Sequence, residues 1–444
     1  MPYARYLMNA TQYNRTNKVG FCQFGNTKAG DKVLLGVDNL YDPLVIDALA
    51  AAFRERGLSV DTVSLDIGQD RELNELDEFT LMIGRGDTPE LIYTVYTARW
   101  LEKLAADRGY DLLAHGRGGP MSTVPKSSVG VPWTGRETFA SASTTFPSEL
   151  NEFINRKAWT MIWNQARGGT VRFTDPEGTD FTFGLPEEIY GSMGYGFTEK
   201  PVLGHLMGYP KTLRSFPGAA ARGVLAGTTS HGGRPFPHIR VYFEDGVAVR
   251  VEGGGKYGDA WRQMLEETRK VQMPGYAKPG FFYLTELAIG THPKVFRPSN
   301  LLMRSSMGSF WERYRSGVVH VGVGTSGMSG VETGKLEDPE QGVRWWKERG
   351  LPWGHLHVHC MFPTYEVTTR TGEQLRVIDR GRLTALDDPE VRSYAARFGN
   401  VDELLTEDWV PAIPGVNVEG DYFEDYAKDP IPWIRKELTG EFYG

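Results

Sequence analysis

Three of the nine histidines of this 444-residue chain occupy alternate positions in the segment His-Leu-His-Val-His at 355–359. Residues two apart in a β-strand point to the same face, so we expect His355, His357 and His359 to project together. Their successive Cα atoms would lie about 6.6 Å apart, which lets two imidazoles reach one metal ion. A strand face of solvated or hydrogen-bonded histidines is the alternative. The alternation favours metal binding, with His357 and His359 as ligands.

Two further segments carry side chains that suit the same ion. His320 lies in the β-branched stretch at 317–324 and is a candidate third ligand; a buried neutral imidazole bonded to a backbone carbonyl is the alternative. Glu286 lies in the apolar segment at 284–293, where a carboxylate must be paired, ligated or protonated. It is a candidate ligand or acid/base, and a helix cap or salt bridge is its alternative.

In their order along the chain, these segments resemble a metalloenzyme superfamily. It contains the thermophilic-type metallo-aminopeptidases (aminopeptidase T and its relatives), 2,5-dihydroxypyridine 5,6-dioxygenase and 5-nitroanthranilate aminohydrolase. Its members carry a Gly-Glu-Leu-x-x-Gly-x-Asn-like segment, then Gly-x-x-His, then His-x-Asp. The matching segments here lie at 285–292, 317–320 and 357–359, and the hairpin predicted at 171–183 is also similar. The resemblance covers residues 170–365 and is compatible with the N-terminal part of the chain.

Two departures from the family pattern bear on the chemistry. His359 stands where the family has an aspartate, and the stretch at 208–218 lacks the glutamate with which the peptidases bridge two metals. Two divalent ions need bridging anions because the cations repel one another. The resemblance therefore implies one divalent transition metal on His320, His357 and His359, with Glu286 as a fourth ligand or as an acid/base.

Other polar side chains are candidates for moving protons or for holding an anionic substrate. Polar loops on a rigid scaffold often carry catalytic groups, and a guanidinium binds a carboxylate through two parallel hydrogen bonds. The predicted acid/base groups are Glu286, His231 and His355. The predicted substrate contacts are Arg214, Arg222 and His292. For Arg214 and Arg222, the alternative is an ion pair on the protein surface.

A positively charged site with open coordination positions suits a chelating anion such as an ortho-hydroxy or ortho-amino aromatic acid. With Fe(II), we predict a ring-cleaving dioxygenase acting on a small aromatic or heteroaromatic acid. With Mn or Zn the same donors would activate water, which leaves an aminohydrolase, an amidohydrolase or an aminopeptidase-like hydrolase as alternatives. A non-enzymatic protein that binds a metal or a ligand is a further alternative.

The elements around these residues predict an N-terminal parallel α/β domain. A buried strand at 32–38, a helix capped by Asp42 and a strand at 59–65 form a β-α-β unit, which implies parallel strands. A further strand is predicted at 79–83, followed by a helix that opens at 88–89 and runs past Trp100. No complete Gly-x-Gly-x-x-Gly fingerprint follows these strands, so we predict no nicotinamide cofactor.

The second part of the sequence is rich in strands. Hairpins are predicted at 171–183 and 238–251, the second turning at Asp245-Gly246. Helices are predicted at 148–167, 257–270 and 337–349, and we expect the acidic, aromatic tail from residue 400 to pack across a neighbouring surface. The fold class is therefore α/β, with an N-terminal α/β domain at 1–140 and a larger α+β metal-binding domain at 141–444.

Composition limits the classes of partner. A net charge of −7 argues against a protein that binds nucleic-acid backbones, which requires a basic face. The two cysteines cannot build a disulfide framework or a four-cysteine zinc site. The sequence shows no signal peptide and no apolar run long enough to span a membrane, so we expect a cytoplasmic enzyme. The family resemblance implies a homo-oligomer.

Overall fold

The structure is a computed structural model, and it describes most of the chain. Two of the predicted site residues, Arg214 and His231, lie outside the described residues, as do most of the helices predicted after residue 88 and at 337–349. The described residues are 1–10, 24–66, 71–72, 74–84, 100–115, 128–131, 135–185, 205–207, 221–230, 234–272, 278–303, 312–325 and 348–441.

Seventeen strands lie in these ranges. They are β1 Lys32–Asp38, β2 Ser59–Leu65, β3 Ile83–Gly84, β4 Leu112–His115, β5 Ser128–Gly130, β6 Thr170–Asp175, β7 Thr179–Gly184, β8 His205–Met207, β9 Arg222–Thr229, β10 Pro235–Glu244, β11 Val247–Gly253, β12 Tyr283–Gly290, β13 Val319–Thr325, β14 Trp353–Cys360, β15 Thr364–Thr368, β16 Gln374–Asp379 and β17 Arg382–Leu383.

The helices in the same ranges are mostly short. The α-helices are Pro2–Asn9, Pro43–Glu55, Asp77–Met82, Arg136–Phe139, Ala142–Thr145, Ser148–Trp159, Gly255–Thr268, Pro389–Ala395, Val401–Leu405 and Ile431–Thr439, and residues 100–107 are also helical. Thr160–Gln165 and Tyr422–Ala427 are π-helical, and Glu312–Tyr314 and Thr384–Asp387 are 3₁₀-helical. No helix in the described ranges is both long and apolar enough to cross a membrane.

The N-terminal part contains a four-stranded sheet in the order β2-β1-β4-β5, and all of its strand pairs are parallel. The helix Pro43–Glu55 connects β1 to β2. The carboxylate of Asp42 accepts a hydrogen bond from the backbone N–H of Leu44, which satisfies one of the unpaired donors at the helix start. The predicted β-α-β unit is therefore confirmed, including its cap.

The prediction of a strand at 79–83 is wrong. The helix Asp77–Met82 occupies most of this stretch, and the strand β3 is limited to Ile83–Gly84. The carboxylate of Asp77 accepts a hydrogen bond from the backbone N–H of Asn74 at 2.7 Å and pairs with Arg71 at 2.6 Å. These contacts close a turn at the helix start, and a short apolar run by itself does not distinguish a strand from a helix.

The larger sheet is antiparallel and has thirteen strands in the described part of the chain. Its order is β17-β16-β15-β6-β7-β9-β10-β11-β12-β13-β14-β3, and β8 pairs with β12. Both predicted hairpins are confirmed as β6–β7 and β10–β11. At the turn of the second hairpin, Asp245 and Gly246 have φ angles of 52° and 82°, which the tight connection requires of both central residues.

The helices Ser148–Trp159 and Gly255–Thr268 confirm two further predictions and bury aromatic side chains against the large sheet. The largest fully buried side chains include Trp261 of the second helix and Trp163 of the π-helix Thr160–Gln165, which follows the first helix. The fold class is as predicted: a parallel α/β part is followed by a larger, strand-rich α+β part. The boundary at residue 140 stays a prediction; β3, from the N-terminal side of that boundary, pairs with β14 of the large sheet.

The C-terminal tail packs across the body of the protein, as the sequence predicts. Ile413, Tyr426 and Ile434 form one buried cluster with residues that precede the tail, including Val318 and Met361. Val318 directly precedes β13 and Met361 directly follows β14, so the tail is held against the ends of the two strands that carry the histidines.

Candidate metal centre

Three adjacent antiparallel strands bring the predicted ligands together. Glu286 of β12 pairs with Gly322 of β13, and Gly322 pairs in turn with His357 of β14. The next row is formed in the same way by Ala288, His320 and His359. Directly paired residues of an antiparallel sheet point to the same face. The register therefore places one carboxylate and several imidazoles on a single face.

The Glu286 carboxylate lies at the centre of this group. Its Oε1 atom is 3.1 Å from Nε2 of His320, and its Oε2 atom is 2.9 Å from Nε2 of His355 and 3.4 Å from Nε2 of His357. Glu286, His320 and His357 each offer one ligand atom, and these atoms lie within 4.8 Å of one another. A carboxylate oxygen and two imidazole nitrogens suit a divalent transition metal, so the donor set fits such an ion.

Gly322 provides the space for this arrangement. A Cβ atom added to it would lie 2.8 Å from the Cβ of Glu286 and 2.8 Å from Cδ2 of His355. Both distances are shorter than van der Waals contact allows, so a larger residue on β13 would displace the carboxylate or the imidazole. A glycine within a strand often marks such a close approach.

Burial and neighbouring charge shift the pKa of the Glu286 carboxyl group in opposite directions. Burial alone would raise the pKa of its carboxyl group, but the attraction to His320 and the hydrogen bonds with His320, His355 and His357 hold that pKa well below its usual range. The imidazoles of His320 and His357 are buried, whereas the side chain of His355 is 23% exposed. Glu286 therefore presents an ionised carboxylate, and His355 is the most exposed of its three imidazole partners.

His359 lies further along the same strand, beside His320, and its ring centroid is 5.8 Å from that of His320. Its Nδ1 atom is 3.6 Å from Oε1 of Glu312, a fully buried residue in the short 3₁₀-helix before β13. The group of ligand atoms within 4.8 Å does not include His359. Its predicted role as a ligand stays a prediction.

Glu312 is a residue that the sequence predictions missed. It lies in the segment Phe-Trp-Glu-Arg-Tyr at 310–314, and a glutamate among aromatic residues is the one signal of a buried carboxylate there. Burial would raise the pKa of Glu312, but the charge of Arg297 and the contact with His359 lower it. Glu312 therefore adds an ionised carboxylate next to His359.

Two predicted substrate contacts have partners of their own. Arg222 is exposed at the start of β9 and donates a hydrogen bond to Asp245 at 2.8 Å. His292 is buried, with Nδ1 accepting a hydrogen bond from the backbone N–H of Lys294 and its ring centroid 4.7 Å from that of Phe146. Burial and the charge of Lys294 lower the pKa of His292 to about 3, so its imidazole is neutral. Their contacts with substrate stay predictions.

Two solved structures are similar to this fold at low sequence identity. The 2,5-dihydroxypyridine dioxygenase of Pseudomonas putida KT2440 is 14% identical, with a TM-score of 0.43 over 86% of this chain and 96% of that chain. Wild-type AmpT of Thermus thermophilus is 16% identical, with a TM-score of 0.42 over 86% of this chain and 98% of that chain. Both are members of the superfamily that the motif order resembles. No family model and no curated protein sequence matches the chain.

Proposed function

We propose that this protein is a mononuclear Fe(II) dioxygenase that cleaves the ring of a small hydroxylated aromatic or heteroaromatic acid. The observation that carries the proposal is the group of Glu286, His320 and His357, whose ligand atoms lie within 4.8 Å of one another. Two histidines and one carboxylate that leave open positions are the donor set of non-haem Fe(II) oxygenases. Iron bound there would allow an electron-rich ring and O₂ to react side by side.

The charge of the donor set supports an anionic substrate. One carboxylate and two neutral imidazoles neutralise only half of the charge of a divalent ion, so a chelating acid is attracted to the remainder. Ring cleavage inserts both atoms of O₂ into the opened ring, and the electrons come from the hydroxylated ring itself. The reaction therefore needs no external reductant, and no nicotinamide site is required.

His355 is the best placed residue for moving a proton. Its Nε2 atom is 2.9 Å from Oε2 of Glu286, and its side chain is partly exposed. A hydroxyl group of a substrate that approaches from the exposed side would meet this imidazole before it meets the buried ones. An imidazole in this position can accept the hydroxyl proton and return it after cleavage.

The same geometry supports one alternative, a metal-dependent hydrolase. Two histidines and one glutamate also bind the zinc of some hydrolytic enzymes, and His355 stands where a general base for water would be needed. An aminohydrolase that releases ammonia from an aminoaromatic acid is the form of this alternative that fits the charge of the site. An amidohydrolase or an aminopeptidase-like enzyme would use the same groups.

The decisive experiment is metal analysis of protein purified without oxygen, followed by activity assays on metal-free protein reloaded with Fe(II), Mn(II) or Zn(II). The substrates are ortho-hydroxy and ortho-amino aromatic acids, and the readouts are O₂ uptake and ammonia release. We expect O₂ uptake with iron alone. Ammonia release without O₂ uptake would establish the hydrolase instead, and no turnover with any of the metals would favour a non-enzymatic binding protein.

Variants test the ligand assignment independently of the substrate. We expect His357→Ala and Glu286→Gln to lose the bound metal, because each removes a donor from the group. His238→Gln is the control: its Nε2 atom lies 2.7 Å from the backbone oxygen of Glu177, away from this group, so metal content should be retained. His359→Ala tests the remaining predicted ligand. Unchanged metal content in His357→Ala would refute the proposed metal site.

A further inference from the structure

A row of buried charged side chains runs from the histidine strand to the C-terminal helix. Glu312 lies next to His359, with Oε1 3.6 Å from Nδ1, and its Oε2 atom accepts a hydrogen bond from Nε of Arg297 at 2.9 Å. Arg297 also donates to Oε2 of Glu437 at 2.8 Å. The indole N–H of Trp409 donates to the other oxygen of Glu437 at 2.7 Å. The row therefore links the strand β14 to the helix Ile431–Thr439.

The charged side chains of this row are shielded from water. The side chains of Glu312, Arg297 and Glu437 are 0%, 3% and 4% exposed, so water screens them little. Burying an ion is costly unless each of its hydrogen-bonding atoms meets a partner of opposite polarity. Two carboxylates share one guanidinium, and the buried guanidinium of Arg315 adds a further positive charge that acts on Glu312.

Arg297 holds Glu312 in this orientation. Its guanidinium lies between the two carboxylates, with Cζ 4.8 Å from the centre of the Trp409 ring. Each of its two contacts with a carboxylate is a charge-assisted hydrogen bond of ordinary length, and the one to Glu312 occupies Oε2. The other oxygen, Oε1, is left on the side of His359, 3.6 Å from Nδ1.

We propose that Glu312 is a positioning residue for the metal centre: its carboxylate accepts the Nδ1–H of His359 and directs the Nε2 lone pair of that imidazole towards the metal. This inference rests on the proposed function, because it requires a metal on the group of Glu286, His320 and His357. Histidines that bind metals commonly donate their other ring N–H to a carboxylate, which selects the tautomer and the ring orientation. His359 then completes the donor set from the side of His320.

Glu312→Gln and Glu437→Gln form a matched pair of variants. Each removes one negatively charged partner of Arg297, but only Glu312 contacts His359. We would measure Zn(II) binding to the metal-free full chain by calorimetry and the thermal unfolding of the metal-free protein. We expect Glu312→Gln to weaken metal binding about 10–100-fold. We expect Glu437→Gln to lower the melting temperature and to leave the dissociation constant for Zn(II) unchanged. Equal dissociation constants in the two variants would overturn the inference.

A measurement on the wild type avoids dependence on how the variants fold. In protein labelled with ¹⁵N-histidine, the ring nitrogen shifts report which nitrogen carries the proton, and the His359 signals are identified by their loss in His359→Asn. We expect His359 to be the Nδ1–H tautomer in the Zn(II)-loaded protein, and the Nε2–H tautomer would overturn the inference. A wild type that binds no metal would overturn the proposed function as well, whereas the wrong tautomer in a metal-loaded protein would overturn only this inference.

Discussion

Gly322 lies directly opposite Glu286 across the β12–β13 pair, and a Cβ atom on Gly322 would be 2.8 Å from the Cβ of Glu286. The candidate metal-binding face therefore depends on the absence of a side chain at one position as much as on the side chains around it. Glu286 reaches three imidazoles because the strand between it and His357 presents only a hydrogen atom at this point.

Gly322→Ala should weaken metal binding while the sheet still forms. The added methyl group would displace Glu286, so its carboxylate would no longer converge with the imidazoles of His320 and His357. Calorimetry with Zn(II) measures the effect. Gly135→Ala is the control, since a Cβ there would meet nothing within 4 Å. Equal affinities of Gly322→Ala and the wild type would contradict the packing argument.

His355→Gln should separate metal binding from turnover. His355 contacts Glu286 but does not belong to the group of Glu286, His320 and His357, so we expect the metal content to be kept. Loss of a positioned acid/base commonly costs about 10²–10⁴-fold in rate. Metal analysis and steady-state assays on the same preparation make the comparison. Full activity in this variant would show that His355 does not act as the acid/base.

Arg297→Leu should destabilise the protein strongly, because it leaves Glu312 and Glu437 buried without their shared cation. Breaking a buried ion pair on one side costs about 3–5 kcal/mol in the free energy of unfolding. Denaturant unfolding of the metal-free protein measures the loss. Arg5→Leu breaks the exposed pair with Glu55 and should cost much less. Similar losses in the two variants would show that the buried row contributes little to stability.

Glu177→Gln should change how stability depends on pH. Glu177 is buried, with Oε1 accepting hydrogen bonds from Thr228 and Tyr422, and burial together with the charge of Asp175 raises its pKa to about 8. Between its ordinary pKa and this value the folded protein binds more protons than the unfolded chain. The contribution of Glu177 to stability is therefore present at low pH and is lost as pH rises.

The uncharged Glu177→Gln variant lacks this titration, so its stability relative to the wild type should increase from about pH 5 to about pH 8. Thermal unfolding of the metal-free proteins across this range gives the comparison. Glu373→Gln, at an exposed position, is the control and should show no such trend. A constant difference between Glu177→Gln and the wild type would mean that Glu177 is ionised throughout.

The sequence by itself determined the features that follow from local periodicity. Side chains alternate between the faces of a strand, so the two-residue spacing of His355 and His357 is enough to place them on one face. The hairpin turn at Asp245-Gly246 and the capped helix after Asp42 are local in the same sense. The prediction of a strand at 79–83 was wrong because the apolar run is short, and the contacts made by Asp77 favour a helix.

The tertiary structure decided which of these groups meet. Glu286, His320 and His357 converge through the register of three strands, with an irregularity between Leu284 and Glu286, and no local pattern specifies such a register. The choice of Glu312 as the neighbour of His359 has the same origin. So does the contact between Arg297 and Glu437, which joins residues 140 positions apart. Contacts of this kind form only when burial of the whole sheet compensates the entropy of closing long loops. The candidate ligands are therefore visible in the sequence, whereas their partners depend on the tertiary structure.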